Sequence, residues 1–337
     1  MKVGVIIDRY SQEIGGPYFI IKNQIDSLKK KINIKIIFNN GKRNINLNNI
    51  IKKLDICHFY GGWTYFYLKA SLISIRLKKK IITNPLGFYE PWSLNQKRLK
   101  KIIAWNLYQK KILSKSDLIH CASLNEEKSL IKLNKSFKTI LLPYGIKNNF
   151  IKNTIKKNII KKKALFFSRI HKKKGIENLI NAWNEIKPNG WVLDIIGPCE
   201  DINYYLKLKK LSEGRNINFL NPVYEDQEKK KLFDQYDFLV LPTFNENFGM
   251  IILEALARGL PVLTNYNAPW QVIRDTNSGW FIKDDYKSLL SCLKKIFKTN
   301  IYSFRVKSFN AIKLARKFSW SKLSEDYYQV YKRMLNN

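Results

Sequence analysis

Two acids and two cations hold most of the chemistry legible in this chain. Glu246 and Glu254 stand eight positions apart in FNENFGMIILEALARGLPV, and Arg169 and Lys174 lie in SRIHKKKG. A carboxylate only accepts hydrogen bonds, so it suits hydroxyl groups rather than a phosphate. Glu254 in particular suits a diol such as a ribose. Arg offers a planar fork and Lys a point charge, and both suit a diphosphate. Each such charged hydrogen bond contributes about 1.5–3 kcal/mol. A departing nucleotide diphosphate gains negative charge, so both cations would lower its barrier. Between the acids, the amides of Phe248, Gly249, Met250 and Ile251 are expected to open a helix. Its dipole places roughly half a positive charge there, and Gly249 admits a ligand close to the backbone. Asn247 adjoins Glu246 in this segment. Acids on either side of an anion-binding helix start describe a ligand with sugar, phosphate and sugar parts. Each residue also has a plainer reading: Glu246 as a helix cap, Glu254 as a solvated helix residue, and SRIHKKKG as one more basic run.

These side chains need elements to hold them. Strands are expected over 2–8, 32–38, 55–60, 80–84 and 117–122, with helical patterns between them. The polar, Lys-rich stretch 148–163 reads as a linker or an edge. The rhythm then restarts, with strands at 164–168, 191–196, 218–220, 238–241 and 261–264. Helices are expected at 176–186, 201–213, 248–258, 287–297 and 321–335. Alternation of this kind predicts parallel sheets in two α/β units, with ligands outside the carboxyl ends of the strands and in a cleft between units. Glu246 falls in a loop leaving a strand and Glu254 about two turns into the next helix. Gly259 is the expected C-cap, and Pro261 forbids continuation. In SQEIGGP, Gly15 and Gly16 follow the first strand where backbone amides meet phosphate. The G-x-G-x-x-G spacing is missing, which counts against a dehydrogenase.

The 337 residues suggest two domains of roughly 150 residues each. The net charge is +35, from 61 basic and 26 acidic residues. That excess fits nucleic acid, an anionic membrane or phosphorylated substrates, and it equally fits a compositional drift towards lysine. Cys57, Cys121, Cys199 and Cys292 form no CxxC pair, and only His58, His120 and His171 occur. Zinc spacings are therefore absent, and a reducing, cytoplasmic compartment is expected. The N-terminal apolar run is too short for a signal peptide, and no run of ~18 apolar residues is present. The segment 92–115 combines Leu99, Ile102, Ile103, Trp105, Leu107 and Tyr108 with seven cations. Such a helix can lie on an anionic bilayer, although the ordinary expectation is an apolar stripe turned into the core.

Together these residues resemble retaining glycosyltransferase family 4, of the α/β GT-B fold: two Rossmann-like domains with an interdomain cleft. E-x7-E and R-x4-K-G are joined, in the family's order, by DICHFYGGW, PLGFYEPW, SDLIHCASLNEE, LLPYGI, DIIGP, FLNPVYEDQEK and FSWSKL. PLGFYEPW and the Pro269-Trp270 pair look most like members that build bacterial surface polysaccharides, such as O-antigen or capsule. The resemblance implies an acceptor-side domain over 1–150, a nucleotide-sugar domain over 151–318, and a terminal helix, 319–337, packing back toward the first domain. It implies that Arg169 and Lys174 hold the diphosphate, Glu246 contacts the transferred sugar and Glu254 binds the ribose. Gly197, Pro198, Val223 and Tyr224 would lie near the base, and Gly15 and Gly16 near the diphosphate. His58, Glu90 and Trp92 are the acceptor-side candidates, with a strand-end structural role the other reading of His58; His120 and His171 read as structural.

The implied activity is transfer of a sugar from a UDP- or GDP-linked donor to a glycan or lipid-linked acceptor, with retention. No metal or other cofactor is expected, since no Asp-x-Asp motif is present and the protein cations stand in for one. The implied location is the cytoplasm or the inner face of the membrane. One departure stands out: many relatives carry His or Arg where this chain has Leu86, which implies a different sugar, a supporting role taken by another residue, or weak activity. Competing readings are a sugar-nucleotide epimerase or phosphorylase on the same fold, and a basic nucleic-acid-binding protein. The aromatics are spread through apolar strands rather than interleaved with cations, so no nucleic acid is expected.

Overall fold

The computed structural model describes residues 1–39, 41, 46–154 and 159–336. The chain divides into two compact units, Met1–Gly145 with Trp320–Asn337, and Ile146–Ser319.

The first unit is built on six parallel strands: β1 (Lys2–Ile7), β2 (Asn33–Phe38), β3 (Ile56–Tyr60), β4 (Lys80–Asn84), β5 (Leu118–Cys121) and β6 (Thr139–Leu141). Their order across the sheet is β2-β1-β3-β4-β5-β6. The central β3, ICHFY, is buried at every position, whereas β2 at the edge is largely half-exposed. A parallel strand covered on both faces reads as a continuous apolar run, and that is how the central strands declare themselves in the sequence.

The second unit repeats the plan with β7 (Lys163–Phe167), β8 (Val192–Ile196), β9 (Ile217–Leu220), β10 (Phe238–Leu241), β11 (Val262–Asn265) and β12 (Gly279–Ile282). The order is β12-β11-β10-β7-β8-β9, all parallel. The chain runs outward from β7 through β8 to β9, then returns to the other side of β7 as β10. The sheet therefore has its topological switch point between β7 and β10, where loops leaving the carboxyl ends diverge and leave a crevice.

The expected strands are present, and each sheet gains a sixth. β6 and β12 have only three and four residues. Both lie at a sheet edge and are mostly half-buried or exposed rather than enclosed. The helix Ile301–Ala315 was also not expected; it buries Ala311 and Ala315 beside Phe304, Ile312 and Leu314, a small-residue face with little contrast in the sequence. The stretch 148–163 falls partly on residues outside those described. Its start forms a short 3-10 turn, Asn148–Phe150, with Phe150 buried.

The terminal helix Trp320–Asn336 belongs to the first unit and is pinned by a buried polar chain. His120 Nε2 lies 2.7 Å from the Leu142 carbonyl, which can only accept, so Nε2 carries the proton and Nδ1 accepts. Asn84 Nδ2 and His58 Nε2 face that Nδ1 at 3.0 and 3.2 Å. His58 Nε2 must then donate, which leaves its Nδ1 to accept from the Tyr331 hydroxyl at 2.8 Å. Tyr331 in turn accepts from Gln24 Nε2 at 2.8 Å, and Gln24 Oε1 accepts from Tyr60. Each ring nitrogen, hydroxyl and side-chain amide named in this network has a partner, as burial demands.

Burial pushes the His58 imidazole well below its ordinary 6.5 and His120 down to about 4. Both are neutral in the fold at pH 7. Because the folded values lie below the free ones, their contribution to stability is present above pH 6.5 and is lost as pH falls toward the folded values. Tyr331→Phe leaves Gln24 Nε2 and His58 Nδ1 without a shared partner. It is expected to cost about 1–3 kcal/mol, read as a lower urea midpoint for unfolding of the first unit. An unchanged midpoint would contradict the network.

Candidate functional site

The site forms where loops leave the carboxyl ends of β7 and β10. After β7, the chain turns through Ser168–Ile170 into a 3-10 turn, Lys172–Lys174, closed by Gly175 at φ +70°. A Cβ at Gly175 would collide with the Pro242 carbonyl, so only glycine lets this turn pack against the end of β10. The two loops are then laced together. Phe244 N donates to Lys173 O at 2.8 Å, the Thr243 hydroxyl donates to the same carbonyl at 3.1 Å, and Lys173 Nζ reaches Asn245 Oδ1 at 3.3 Å. Glu246 N is held by Asn267 O at 3.1 Å.

This lacing brings Lys174 and Glu246 into a direct ion pair. Their side chains are only 7% and 16% exposed, so the pair is poorly screened by solvent. Glu246 does not cap the following helix. The N-cap is Gly249, in the left-handed region at φ +79°, with no side-chain cap. That conformation stops the helix from starting at 248, as the sequence suggested; it runs Met250–Ala257. A Cβ on Gly249 would meet Glu246 Cγ at 3.0 Å, so the glycine serves both the backbone turn and the seating of the acid. The helix ladder begins with Ile252 and Leu253 donating to the Gly249 carbonyl, so the Met250 and Ile251 amides lie ahead of it. Phe248 precedes the helix, and its carbonyl accepts the Trp270 indole N–H while the two rings pack edge to face at 5.4 Å. Asn247 lies in the loop and is half-buried.

Glu254 is the fifth residue of its helix, just over one turn in rather than two. It is buried, not solvated. Lys229, on the helix Asp226–Phe233, contacts both carboxylate oxygens at 3.2 and 3.1 Å and is itself buried. Burial pushes the Glu254 carboxyl up, and Lys229 acts in the opposite direction. Sequence reasoning missed Lys229 because it sits in the solvated-looking run EDQEKKK. The available signal was its spacing: Lys229 and Phe233 are four apart, on one helix face, and both are buried.

Arg169 stands exposed at the exit of β7, and among the described residues its guanidinium has no ion-pair partner. Gly197 and Pro198 lie beside it: Ser168 N donates to Ile196 O at 3.0 Å and Ile170 N to Pro198 O at 2.8 Å. A Cβ on Gly197 would strike the Ser168 carbonyl. Val223 and Tyr224 occupy the loop that leaves β9 and enters the Lys229 helix. The second-unit candidates thus sit on loops from the carboxyl ends of four adjacent strands, β10, β7, β8 and β9, with Met250, Ile251 and Glu254 on the helix that follows. His171 caps the Lys172–Lys174 turn through its Nδ1.

The remaining candidates are in the first unit. Gly15, at φ +70°, ends a 3-10 turn after β1, and Gly16 opens the helix Gly16–Leu28; a Cβ at either would meet open space. His58 is fully buried with both ring nitrogens bonded, which favours the structural reading over the acceptor-side one. Glu90 is buried at the N-cap of the short helix Pro91–Asn95, and Trp92 within that helix is half-buried. Leu86 has φ +56°, an uncommon conformation for a bulky residue. It is held there by Asn84 Oδ1, which accepts from Leu86 N at 3.0 Å. The buried Glu126 bonds Gly87 N at 2.6 Å and Ala122 N at 2.9 Å, tying the loop after β4 to the one after β5. Ser123 also caps the helix Leu124–Leu133 by accepting from Glu126 N.

Lys229→Met tests the buried pair. Removing one partner of such a pair costs about 3–5 kcal/mol. Without Lys229, the Glu254 carboxyl rises further above its free value. A raised carboxyl favours the fold at low pH and loses that advantage as pH rises. The melting temperature of Lys229→Met should therefore trail the parent by more at pH 8 than at pH 5. A gap independent of pH would contradict an ionised Glu254–Lys229 pair.

With this geometry in view, comparison with known proteins narrows the identity. Residues 147–308 match the family model described as "Glycosyl transferases group 1". An uncharacterized glycosyltransferase of Methanocaldococcus jannaschii is 29% identical over 177 residues, covering 51% of this chain and 45% of that protein. An uncharacterized 41.2 kDa protein in the cps region of Klebsiella pneumoniae is 26% identical over 296 residues, covering 83% of this chain and 79% of its own. Among solved structures, Anabaena HepE in complex with UDP and glucose superposes with a TM-score of 0.77 at 15% identity, over 99% of this chain and all of that one. At that identity the likeness establishes the fold, and the fold is the α/β GT-B arrangement expected from the sequence. Residues 147–308 thus carry the glycosyl transferases group 1 pattern, in a chain whose fold is GT-B.

Proposed function

We propose that this protein is a retaining, metal-independent glycosyltransferase of the hexosyltransferase type. It moves a sugar from a nucleotide-sugar donor to a glycan or lipid-linked glycan in surface polysaccharide assembly. The observation that carries the reading is the meeting of Lys174 and Glu246 at the β7/β10 switch point, in a segment matching glycosyl transferases group 1. The cps-region relative and the UDP- and glucose-bound structural likeness support the polysaccharide setting and the donor class.

In this reading Glu254, kept ionised by Lys229, accepts hydrogen bonds from the ribose hydroxyls, and Glu246 accepts them from the transferred sugar. Val223, Tyr224, Gly197 and Pro198 border the base, and Gly15 and Gly16 remain candidates for contact with a diphosphate. Asn247, Phe248 and Gly249 shape the backbone around the sugar, and the amides of Met250 and Ile251 face the donor at the positive end of the helix. Reaction breaks the bond between the anomeric carbon and the β-phosphate oxygen, whose electron pair stays with the nucleoside diphosphate. Arg169 and Lys174 stabilise that growing charge. The acceptor oxygen bonds to the anomeric carbon on the same face, and its proton passes to the departing phosphate. Lys174 has two partners in this scheme, so its ion pair with Glu246 couples the seating of the sugar to the stabilisation of the leaving group. Glu90 and Trp92 remain the acceptor-side candidates.

The test combines donor screening with a kinetic split. UDP-, GDP- and ADP-sugars are compared by thermal shift, and the best one is assayed as a radiolabelled donor with membrane extract. Arg169→Ala is expected to lower kcat by about 10²–10³-fold, as loss of one charge-stabilising donor does. Glu254→Gln is expected to act mainly on KM, because the ribose is bound alike in ground and transition states. Absence of binding and turnover with every nucleotide sugar would overturn the proposal, as would donor conversion without any acceptor, the mark of an epimerase.

A further inference from the structure

The segment after the first-unit loop 85–90 does not bury its apolar side chains as an ordinary amphipathic helix would. It runs as a short helix Arg98–Ala104, a π-helical turn Trp105–Gln109 and a helix Lys110–Ser114. The inward-facing side chains are Trp105, packed against the cluster of Tyr89, Leu113 and Phe137, together with the buried Gln109 and Ile112. Tyr108 donates to the Trp63 carbonyl at 3.1 Å. The other face is bare. Leu99, Ile103 and Leu107 are 78%, 59% and 74% exposed, with Ile102 beside them at 46%. Spaced four apart, the first three fall close to one side of the helix. Arg98, Lys100, Lys110 and Lys111 are exposed alongside, and no acidic residue occurs from 91 to 116.

We infer that this face is a docking surface for an anionic lipid bilayer, with Leu99, Ile103 and Leu107 entering the acyl boundary and the flanking cations meeting lipid phosphates. An apolar stripe bordered by Lys and Arg is the composition of an interfacial helix. Protein interfaces are depleted of lysine and rich in aromatic anchors, whereas the aromatic residues here point inward and the exposed apolar ones are aliphatic. A second copy of the chain is disfavoured by charge, since the same cations would face each other in a molecule of net charge +35. The inference stands on this surface alone and is independent of the donor chemistry. It places the protein where a lipid-linked acceptor would be found.

Vesicle co-sedimentation tests it. Vesicles of phosphatidylcholine, with and without about one-third phosphatidylglycerol, are mixed with the full chain at low and physiological salt. A variant combining Leu99→Ser, Ile103→Ser and Leu107→Ser keeps every charge and alters only exposed positions. Arg98→Gln with Lys100→Gln and Lys110→Gln removes three local cations. Lys294→Gln with Lys295→Gln and Lys298→Gln removes three exposed cations from the second unit. The parent should bind only the anionic vesicles. The serine and the local glutamine variants should each bind at least tenfold more weakly, and the second-unit variant within twofold of the parent. Equal binding by the serine variant would reduce the effect to general charge and overturn the inference. So would an absence of parent binding, or a parent dimer that the serine variant abolishes. Nucleotide-sugar thermal shifts, measured on the same variants, should be unchanged, which separates this outcome from any failure of the donor site.

Discussion

The contact between Lys174 and Glu246 is the constraint around which the second unit is arranged. The two residues are 72 positions apart and meet only because β10 returns to lie beside β7. Bringing opposite charges together at a poorly hydrated sheet edge requires rigid loops. The structure supplies them through two glycines that no other residue could replace without rebuilding the turn. Gly175 packs under the Pro242 carbonyl, and Gly249 turns left-handed against Glu246. A Cβ on Gly175 would strike the Pro242 carbonyl and push the loops apart, and one on Gly249 would crowd the Glu246 and Ile252 side chains. The ion pair, the glycines and the switch point are therefore one device, and the helix start at Met250 is its product.

Burial gives a second ion pair a different character. Surface lysines dominate this chain, and most of its ion pairs are solvent-exposed, where each contributes about 0–1 kcal/mol. Lys229 and Glu254 are exceptions, with side chains 8% and 10% exposed. A buried pair of this kind is weak evidence for stability, because desolvation offsets attraction. Its two contacts, at 3.2 and 3.1 Å, fix the position of a carboxylate inside the protein. The raised Glu254 carboxyl shows desolvation acting, and Lys229 shows what opposes it. The first unit orders its buried groups without charge: its two buried imidazoles are neutral and held by a run of hydrogen bonds that passes through Tyr331 of the terminal helix to Gln24 and Tyr60.

Much of this was legible beforehand, for identifiable reasons. Buried parallel strands announce themselves as apolar runs, so the central strands of both sheets could be read directly, whereas β6 and β12, mostly half-buried or exposed, were not picked out. The order of strands placed Arg169 and Glu246 on carboxyl-end loops before any coordinates. The direct pairing of Lys174 with Glu246 was not legible, because hydroxyl-binding and phosphate-binding roles were assigned to them separately and nothing in the spacing requires contact. Lys229 was hidden by its composition, one lysine among several whose burial depends on the facing helix. The exposed Leu99, Ile103 and Leu107 defied the ordinary expectation of a core stripe because Trp105, Gln109 and Ile112, on the opposite side of the helix, take the inward face. Both faces carry apolar residues, so the pattern alone does not say which one the core takes.

The most direct measurement of the central claim is amide hydrogen exchange of the full chain, with and without the nucleotide sugar that most raises its melting temperature. If the β7/β10 edge is the donor site, ligand should slow exchange at Gly249, Met250 and Ile251 and across Ser168–Gly175. The amides near Lys229 should follow, and the exposed Arg98–Ala104 helix should remain as it was. Saturating ligand that leaves the 249–251 amides exchanging at their free rate would contradict the account.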